Sequence, residues 1–324
     1  MSEQQQNTEF RVGMDKAKWV GGLAQWEIGD TMFLSVAFTW ELDRAYSMAL
    51  FAKALGKRVI AGGPALFLVK MRHILADVAE IPTKTVIRDG REKVIPGDYP
   101  EAVTHHNPMA TFASRGCPVG CSFCIVPPLE GEEFTLIPEF TVRPILCDNN
   151  LSALPADYQS HIIERFQAAG VPLLDANSGF EPMTFTPDVY ARWKPLLNAG
   201  RGPWRFAYDE LGERSDVLRV MKMLEDEPAG RKKVYVLVGN EPFAECMQRI
   251  QEVIDAGCEP YVQAYMKLTA LDREPHVRFD WTRQRLKDVQ RWVNGHAWRC
   301  APFSEYDRSL KTSKPIIGQQ QLFA

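Results

Sequence analysis

Three cysteines, Cys117, Cys121 and Cys124, stand in the segment RGCPVGCSFC in the order C-x3-C-x2-C. Thiolates are soft ligands that select zinc or iron–sulfur clusters. A structural zinc site closes its tetrahedron with four protein ligands, commonly as two separated pairs. Here one triplet stands without a second pair, and Cys147, Cys246, Cys258 and Cys300 are scattered singly. His105 and His106 precede the triplet and offer zinc donors, although the triplet spacing is not that of a zinc finger. A [4Fe–4S] cluster usually takes four thiolates. Three would leave one iron without a protein ligand, and an open coordination site is what a metal needs to bind and activate a small molecule.

The elements that must hold this loop can be read around it. MATFASRGC is a strand that runs into the cysteines, and RPILCDNN is an apolar strand that ends in polar residues. PADYQSHIIERFQAAG has helical spacing, with Ile162, Ile163, Phe166 and Ala169 on one face and Gly170 as its stop. VPLLDANSG is the next strand and TPDVYARWKPLLNAG the next helix, with Pro187 in its first turn. WRFAYDE with SDVLRVMKMLED, and KKVYVLVGNE with PFAECMQRIQEVIDAG, repeat the pattern; CEPYVQAYM is a sixth strand. Alternating strands and helices imply an α/β fold with parallel strands.

Composition bounds the rest. The chain has 324 residues, is 45% hydrophobic and carries a formal net charge of -3, so it holds a sizeable core and shows no bias toward nucleic acid or anionic membrane. No apolar run reaches membrane-spanning length. The start MSEQQQNTEF has neither the basic nor the apolar region of a secretory signal, and a cytoplasmic location is expected. In that compartment clustered cysteines point to a metal or to catalysis rather than to disulfides.

The triplet, with the aromatic Phe123 before its last cysteine, resembles the radical S-adenosylmethionine superfamily. The resemblance covers roughly residues 108–308. It implies a [4Fe–4S] cluster on Cys117, Cys121 and Cys124, whose open iron chelates the amino and carboxylate groups of S-adenosylmethionine. It further implies an external electron donor of flavodoxin or ferredoxin type, and reductive cleavage to a 5′-deoxyadenosyl radical that abstracts hydrogen from a substrate. The cofactors carry that chemistry and the protein positions them. The fold implied is a partial (β/α)6 barrel preceded by a small Rossmann-like α/β domain, with the site at the C-terminal strand ends.

Candidate residues follow from those ends. CDNN (147–150) matches the family contact to the methionine amino group, with Asn149 preferred; the alternative is a turn with local hydrogen bonds. DANSGFE offers Asp175 and Asn177 for ribose or substrate. AYDE offers Tyr208 for the cofactor, with Asp209 and Glu210 as catalytic candidates. VYVLVGNEPFAE resembles the family's G-x-I-x-G-x-x-E adenine segment, placing Val238 and Gly239 at the cofactor, although Val236 replaces its first glycine. Phe123 and Ile125 pack on the adenine or serve the core. The remaining cysteines read as small buried hydrophobes, with Cys147 nearest the site. His105 and His106 read as a solvated loop pair.

Residues 1–14 read as a flexible start and 15–107 as the small α/β domain. TMFLSVAFTWELDRAYSMALFAKALGKRVIAGGPA gives strand, loop, helix, strand and glycine turn. The helix is expected to bury Ala45, Met48, Ala49, Phe51, Ala52 and Leu55, with Gly56 as its stop. This segment resembles the cobalamin-binding domain that precedes the barrel in one branch of the superfamily. The branch's D-x-H-x-x-G motif is missing, since TWELDRAYSM has no His, so cobalamin is not expected. IRDGREKVIPGDYP reads as a hairpin and linker. In the tail, 309–324, Gln319 to Phe323 resembles the peptide that replication proteins insert into the sliding clamp. That implies a clamp partner and a substrate in DNA; otherwise Leu322 and Phe323 dock on their own domain. The substrate classes that stay open are a small molecule, a modified nucleobase in DNA or RNA, and a peptide. The other function classes are a non-catalytic iron–sulfur or zinc protein, and a cobalamin-dependent radical methyltransferase.

Overall fold

The computed structural model describes residues 19–68, 75–88, 90–99 and 101–307. The expected flexible start and the Gln319–Phe323 motif lie outside the described residues. The chain forms two compact units: Met1–Arg205 with Lys267–Glu274, and Phe206–Met266 with Pro275–Ala324. Residues 107–108, where the sequence suggests a boundary, lie inside the first unit.

The first unit begins with β1 (Leu23–Ile28) and β2 (Thr31–Val36), an antiparallel pair, and β3 (Arg58–Gly62), parallel to β2. The helix α1 (Leu42–Ala54) connects β2 to β3. It buries Ala45, Ala49 and Ala52, a stripe at i, i+4 and i+7. Phe51 and Leu55 were expected inside but are exposed, because they lie off that stripe; they line a groove with Met32 and Met48. The helix α2 (Pro64–Leu68) follows a glycine pair that close packing requires at both positions and backbone conformation requires at the second. Gly63 has φ +106, and a Cβ there would stand 2.5 Å from the Val36 carbonyl oxygen; a Cβ on Gly62 would stand 2.7 Å from Asp98 Oδ1. The hairpin β4 (Thr83–Arg88) and β5 (Arg91–Pro96) comes next, then the short helix α3 (Ala102–His106).

The loop after β2, where a cobalamin ligand was not expected, is tied to a later stretch of the same unit. The Thr39 hydroxyl donates to the Ala270 carbonyl, and Arg273 Nη2 donates to Glu41 Oε1 at 2.7 Å. Both partners come from Lys267–Glu274, the stretch that returns to this unit late in the sequence.

A buried polar chain ties β2 to the end of β5. Ser35 Oγ donates to Asp98 Oδ2 at 2.6 Å, the Tyr99 N–H donates to Asp98 Oδ1 at 2.8 Å, and His106 Nε2 lies 3.0 Å from Ser35 Oγ. Burial pushes the Asp98 carboxyl up to about 6, against the Ser35 and Tyr99 bonds and the charge of Lys84. Burial likewise lowers His106. A carboxyl held above its unfolded value of 3.8 stabilises the fold below that pH, and the contribution is lost as pH rises through about 6. Asp98→Asn keeps the shape without the charge. Its stability relative to wild type should therefore grow by about 1–2 kcal/mol between pH 4 and 7 in urea titrations. A constant difference across that range would refute the assignment.

β6 (Ala110–Thr111), β9 (Ile145–Leu146) and β10 (Asp175–Ala176) form a parallel sheet in the order β10-β9-β6. Between β6 and β9, β7 (Ser114–Arg115) pairs antiparallel with β8 (Thr135–Leu136), on either side of the cysteine loop and the short helix α4 (Val126–Glu130). The helix α5 (Ala156–Ala169) follows β9, buries Ile162, Ile163 and Phe166, and stops at Gly170, φ 62. Ala169 is exposed, one turn past the buried stripe. The helix α6 (Pro187–Gly200) starts where the Thr186 side chain accepts from the Val189 N–H. Phe180, Phe185, Trp193 and Trp204 form the aromatic core beside it, and Trp193 Nε1 donates to Gln159 at 3.0 Å.

The second unit holds most of β11 (Trp204–Tyr208), with β12 (Lys232–Val238) and β13 (Glu259–Ala264), in the order β11-β12-β13. β12 and β13 are parallel. The helices α7 (Arg214–Met223), α8 (Phe243–Asp255) and α9 (Arg283–Asn294) supply its apolar faces. α9 was not foreseen, although Thr282 caps it and Leu286, Val289 and Val293 recur at helical spacing. The six strands read between residues 108 and 264 are thus present as two three-stranded sheets, and the protein is a mixed α/β fold with small open sheets. Among the described residues no helix is long and apolar enough to cross a membrane.

Candidate metal centre

The cysteine loop is anchored at both ends within the first unit. Its entrance follows β7, where Gly116 has φ +89 and a Cβ would stand 2.1 Å from the Glu133 carbonyl oxygen, so only glycine fits. The Cys117 N–H donates to the Gly131 carbonyl at 3.4 Å and so ties the loop to the end of α4.

Glu130 is the centre of this anchorage. Its side chain is 5% exposed and pairs with the Arg115 guanidinium. It also accepts from the Gly116 N–H at 3.2 Å and from Asn149 Nδ2 at 2.6 Å. Arg115 stacks its guanidinium 3.8 Å from the Phe112 ring centre, and burial lowers its pKa to about 10. Asp148, at the end of β9, accepts from the Ala113 N–H at 2.9 Å and from the Ser114 hydroxyl, and burial raises it to about 6. Tyr158 on α5 closes the frame by donating to the Ala113 carbonyl at 2.6 Å. Strand end, loop entrance and short helix are therefore locked by charge-assisted bonds.

All three loop cysteines are half-buried, and no disulfide joins them. Two of the sulfurs meet hydrogen-bond donors. Asn150 Nδ2 lies 3.7 Å from Cys117 Sγ, and the Val126 N–H lies 3.4 Å from Cys124 Sγ. Among the described residues no three His, Cys, Asp or Glu side chains are gathered as a metal-holding group, so the sulfurs share one loop without meeting at one point. The donor set nonetheless fits an iron–sulfur cluster. It consists of three thiols outside disulfides on one pinned loop, with N–H groups turned toward two of the sulfurs, a contact of the kind that tunes a cluster thiolate.

The expected cofactor residues of this unit are placed as follows. Asn149 is half-buried with its amide tied to Glu130 and to the Gly116 carbonyl, 3.2 Å away, so it braces the loop entrance. Asp175 forms a two-pronged pair with Arg205, at 2.6 and 2.8 Å. Asn177 donates its backbone N–H to Leu146 and keeps a half-buried side chain. Phe123 is half-buried, and Ile125 packs against Val86, Ile95 and Leu129. Cys147 is buried, and its thiol is pushed up to about 12 by burial and the nearby Asp148 and Asp175 charges. Of the pair expected to be solvated, His105 is exposed and stacks on Trp26 at 3.8 Å, whereas His106 is buried against Ser35.

The second unit holds the other expected residues, described separately. Tyr208 is fully buried in the core with Val217, Val234 and Ile250, and its hydroxyl donates to Glu252 at 2.8 Å. Burial and the Glu252 bond raise its pKa. Val238 is fully buried in the same core. These side chains face the helices because strand residues alternate, and β12 buries every second residue. Gly239, φ +91, turns the chain after β12 against Leu286. Glu210 caps the turn before α7 in a reciprocal box with Glu213, whose carboxylate also accepts from the Asp209 N–H at 2.7 Å. Arg249, fully buried, donates to the Tyr208 and Leu237 carbonyls and pairs with Glu241 at 3.0 Å. Cys246 and Cys258 are buried as expected of small hydrophobes, whereas Cys300 is exposed.

Arg115, Glu130, Asp148, Asn150, Glu241 and Arg249 were not singled out from sequence. Arg115 and Asp148 lie in the quoted stretches, but nothing in a linear pattern marks Glu130 as their partner. No protein-family model, no curated protein and no solved structure matches the chain significantly.

Proposed function

We propose that the chain is a radical S-adenosylmethionine enzyme. The observation that carries this reading is the pinned C-x3-C-x2-C loop, which leaves the short strand β7 just after the parallel strand β6, with two of its sulfurs facing N–H donors. Cys117, Cys121 and Cys124 would hold a [4Fe–4S] cluster, which when bound supplies an electron for reductive cleavage of S-adenosylmethionine. Glu130, Arg115 and Asn149 orient the loop, and Asp148 fixes the strand end beneath it. The parallel pairs β6–β9, β9–β10 and β12–β13 support the α/β part of this reading. The reaction class is hydrogen abstraction from a substrate followed by rearrangement or oxidation, with a modified nucleobase among the substrate classes. An electron donor of flavodoxin or ferredoxin type completes the system.

The deciding experiment is anaerobic reconstitution with iron and sulfide, followed by reduction in the presence of S-adenosylmethionine. Brown protein that releases 5′-deoxyadenosine and methionine supports the proposal. A colourless protein that takes up zinc alone, with no cleavage, overturns it and leaves the zinc-protein alternative.

A further inference from the structure

Asn150 occupies an unusual position for a turn residue. It is 3% exposed, one residue beyond Asn149, in the turn that follows β9 and Cys147. Its Oδ1 accepts from the Ala153 N–H at 3.1 Å and lies 3.0 Å from Ser152 Oγ. A backbone N–H can only donate, so Oδ1 must face Ala153 and the amide cannot flip. Nδ2 is then left facing Cys117 Sγ at 3.7 Å. Ser152 is itself held, because it accepts from the Glu181 N–H at 2.8 Å and lies 2.9 Å from the Thr184 hydroxyl. The whole turn from 150 to 153 is therefore a rigid mount that presents one N–H to one sulfur.

We infer that Asn150 is a positioning residue that sets the reduction potential of the cluster held by Cys117; this rests on the cluster reading above. Adding an electron to an iron–sulfur cluster places negative charge on its sulfurs. A hydrogen bond to a ligating sulfur stabilises that charge and raises the potential. The electron itself comes from the external donor, and Asn150 is neither oxidised nor reduced. Its amide makes the cluster easier to reduce without touching substrate or cofactor.

A simpler role for Asn150 is the turn alone, since Asn commonly bonds to the backbone a few residues on. Asn150→Asp separates the two roles. The aspartate oxygen still accepts from Ala153, but an acceptor replaces the donor beside the sulfur. Asn150→Ser keeps a short cap for the turn and withdraws the donor without adding charge. Both proteins, reconstituted as full chains, are titrated potentiometrically with the reduced-cluster EPR signal as readout, alongside iron content and melting temperature. The midpoint potential should fall in both, further in the Asp variant, with iron per chain kept. Wild-type potentials in both variants would overturn the assignment, because a turn-only residue leaves the potential unmoved. Failure of the underlying reading shows earlier, as a wild-type protein that takes up no iron–sulfur cluster.

Discussion

Alanine at Cys117, Cys121 or Cys124 will reduce both the charge-transfer absorbance of the reconstituted protein and 5′-deoxyadenosine release to background. Three ligands are the minimum for the proposed cluster, and Cys147 is buried outside the cysteine loop. Cys246 and Cys258 lie in the apolar core of the second unit, and burial raises the pKa of both, Cys258 to about 11. Their single Ala variants should keep full iron. Iron and sulfide analysis with an anaerobic cleavage assay distinguishes the two groups. Full iron content in the triple Cys117, Cys121, Cys124 variant would refute the ligand assignment.

The second large effect is expected at Glu130. Glu130→Ala leaves the half-buried Arg115 guanidinium, the Gly116 N–H and the Asn149 amide without their shared acceptor. Removing one member of a fully buried pair costs about 3–5 kcal/mol, because the remaining charge is uncompensated. Arg115 keeps 30% of its side chain exposed, which lowers the expectation to about 2–3 kcal/mol. Glu130→Gln retains an acceptor and should lose about 1–2 kcal/mol. Urea unfolding monitored by circular dichroism checks both. If Glu130→Ala unfolds at the wild-type midpoint, Glu130 is not the anchor of the loop.

Elements were legible where the signal is local. Each of the six strands is an apolar run closed by polar residues, and α6 announces itself by Thr186 and Pro187, α5 by Gly170. The cysteine loop was legible because spacing is a linear property. What was not legible depends on residues far apart in the chain. The Arg205 partner of Asp175 is 30 positions away and the Asn150 contact to Cys117 is 33. Tyr208 looked like a site residue because it stands beside Asp209 and Glu210, but strand alternation turns it into the helix-packed core. The grouping of the strands into two sheets was equally hidden, since hydrogen-bond register is not written in any single strand. His106 looked solvated because no neighbouring residue in sequence foretells Ser35 and Asp98.

The late return of Lys267–Glu274 to the first unit bears on how the protein is made. Domains generally fold as units as they emerge from the ribosome, N-terminal parts first. Here Glu41 and Thr39 wait for Arg273 and Ala270, which are synthesised more than two hundred residues later. The first unit therefore completes its contacts only after nearly all of the strand-bearing chain has been translated. A fragment cut after Arg205 would leave Glu41 with Arg44 but without Arg273, and Thr39 without the Ala270 carbonyl, so the two units are not separable by a single cut in the gene.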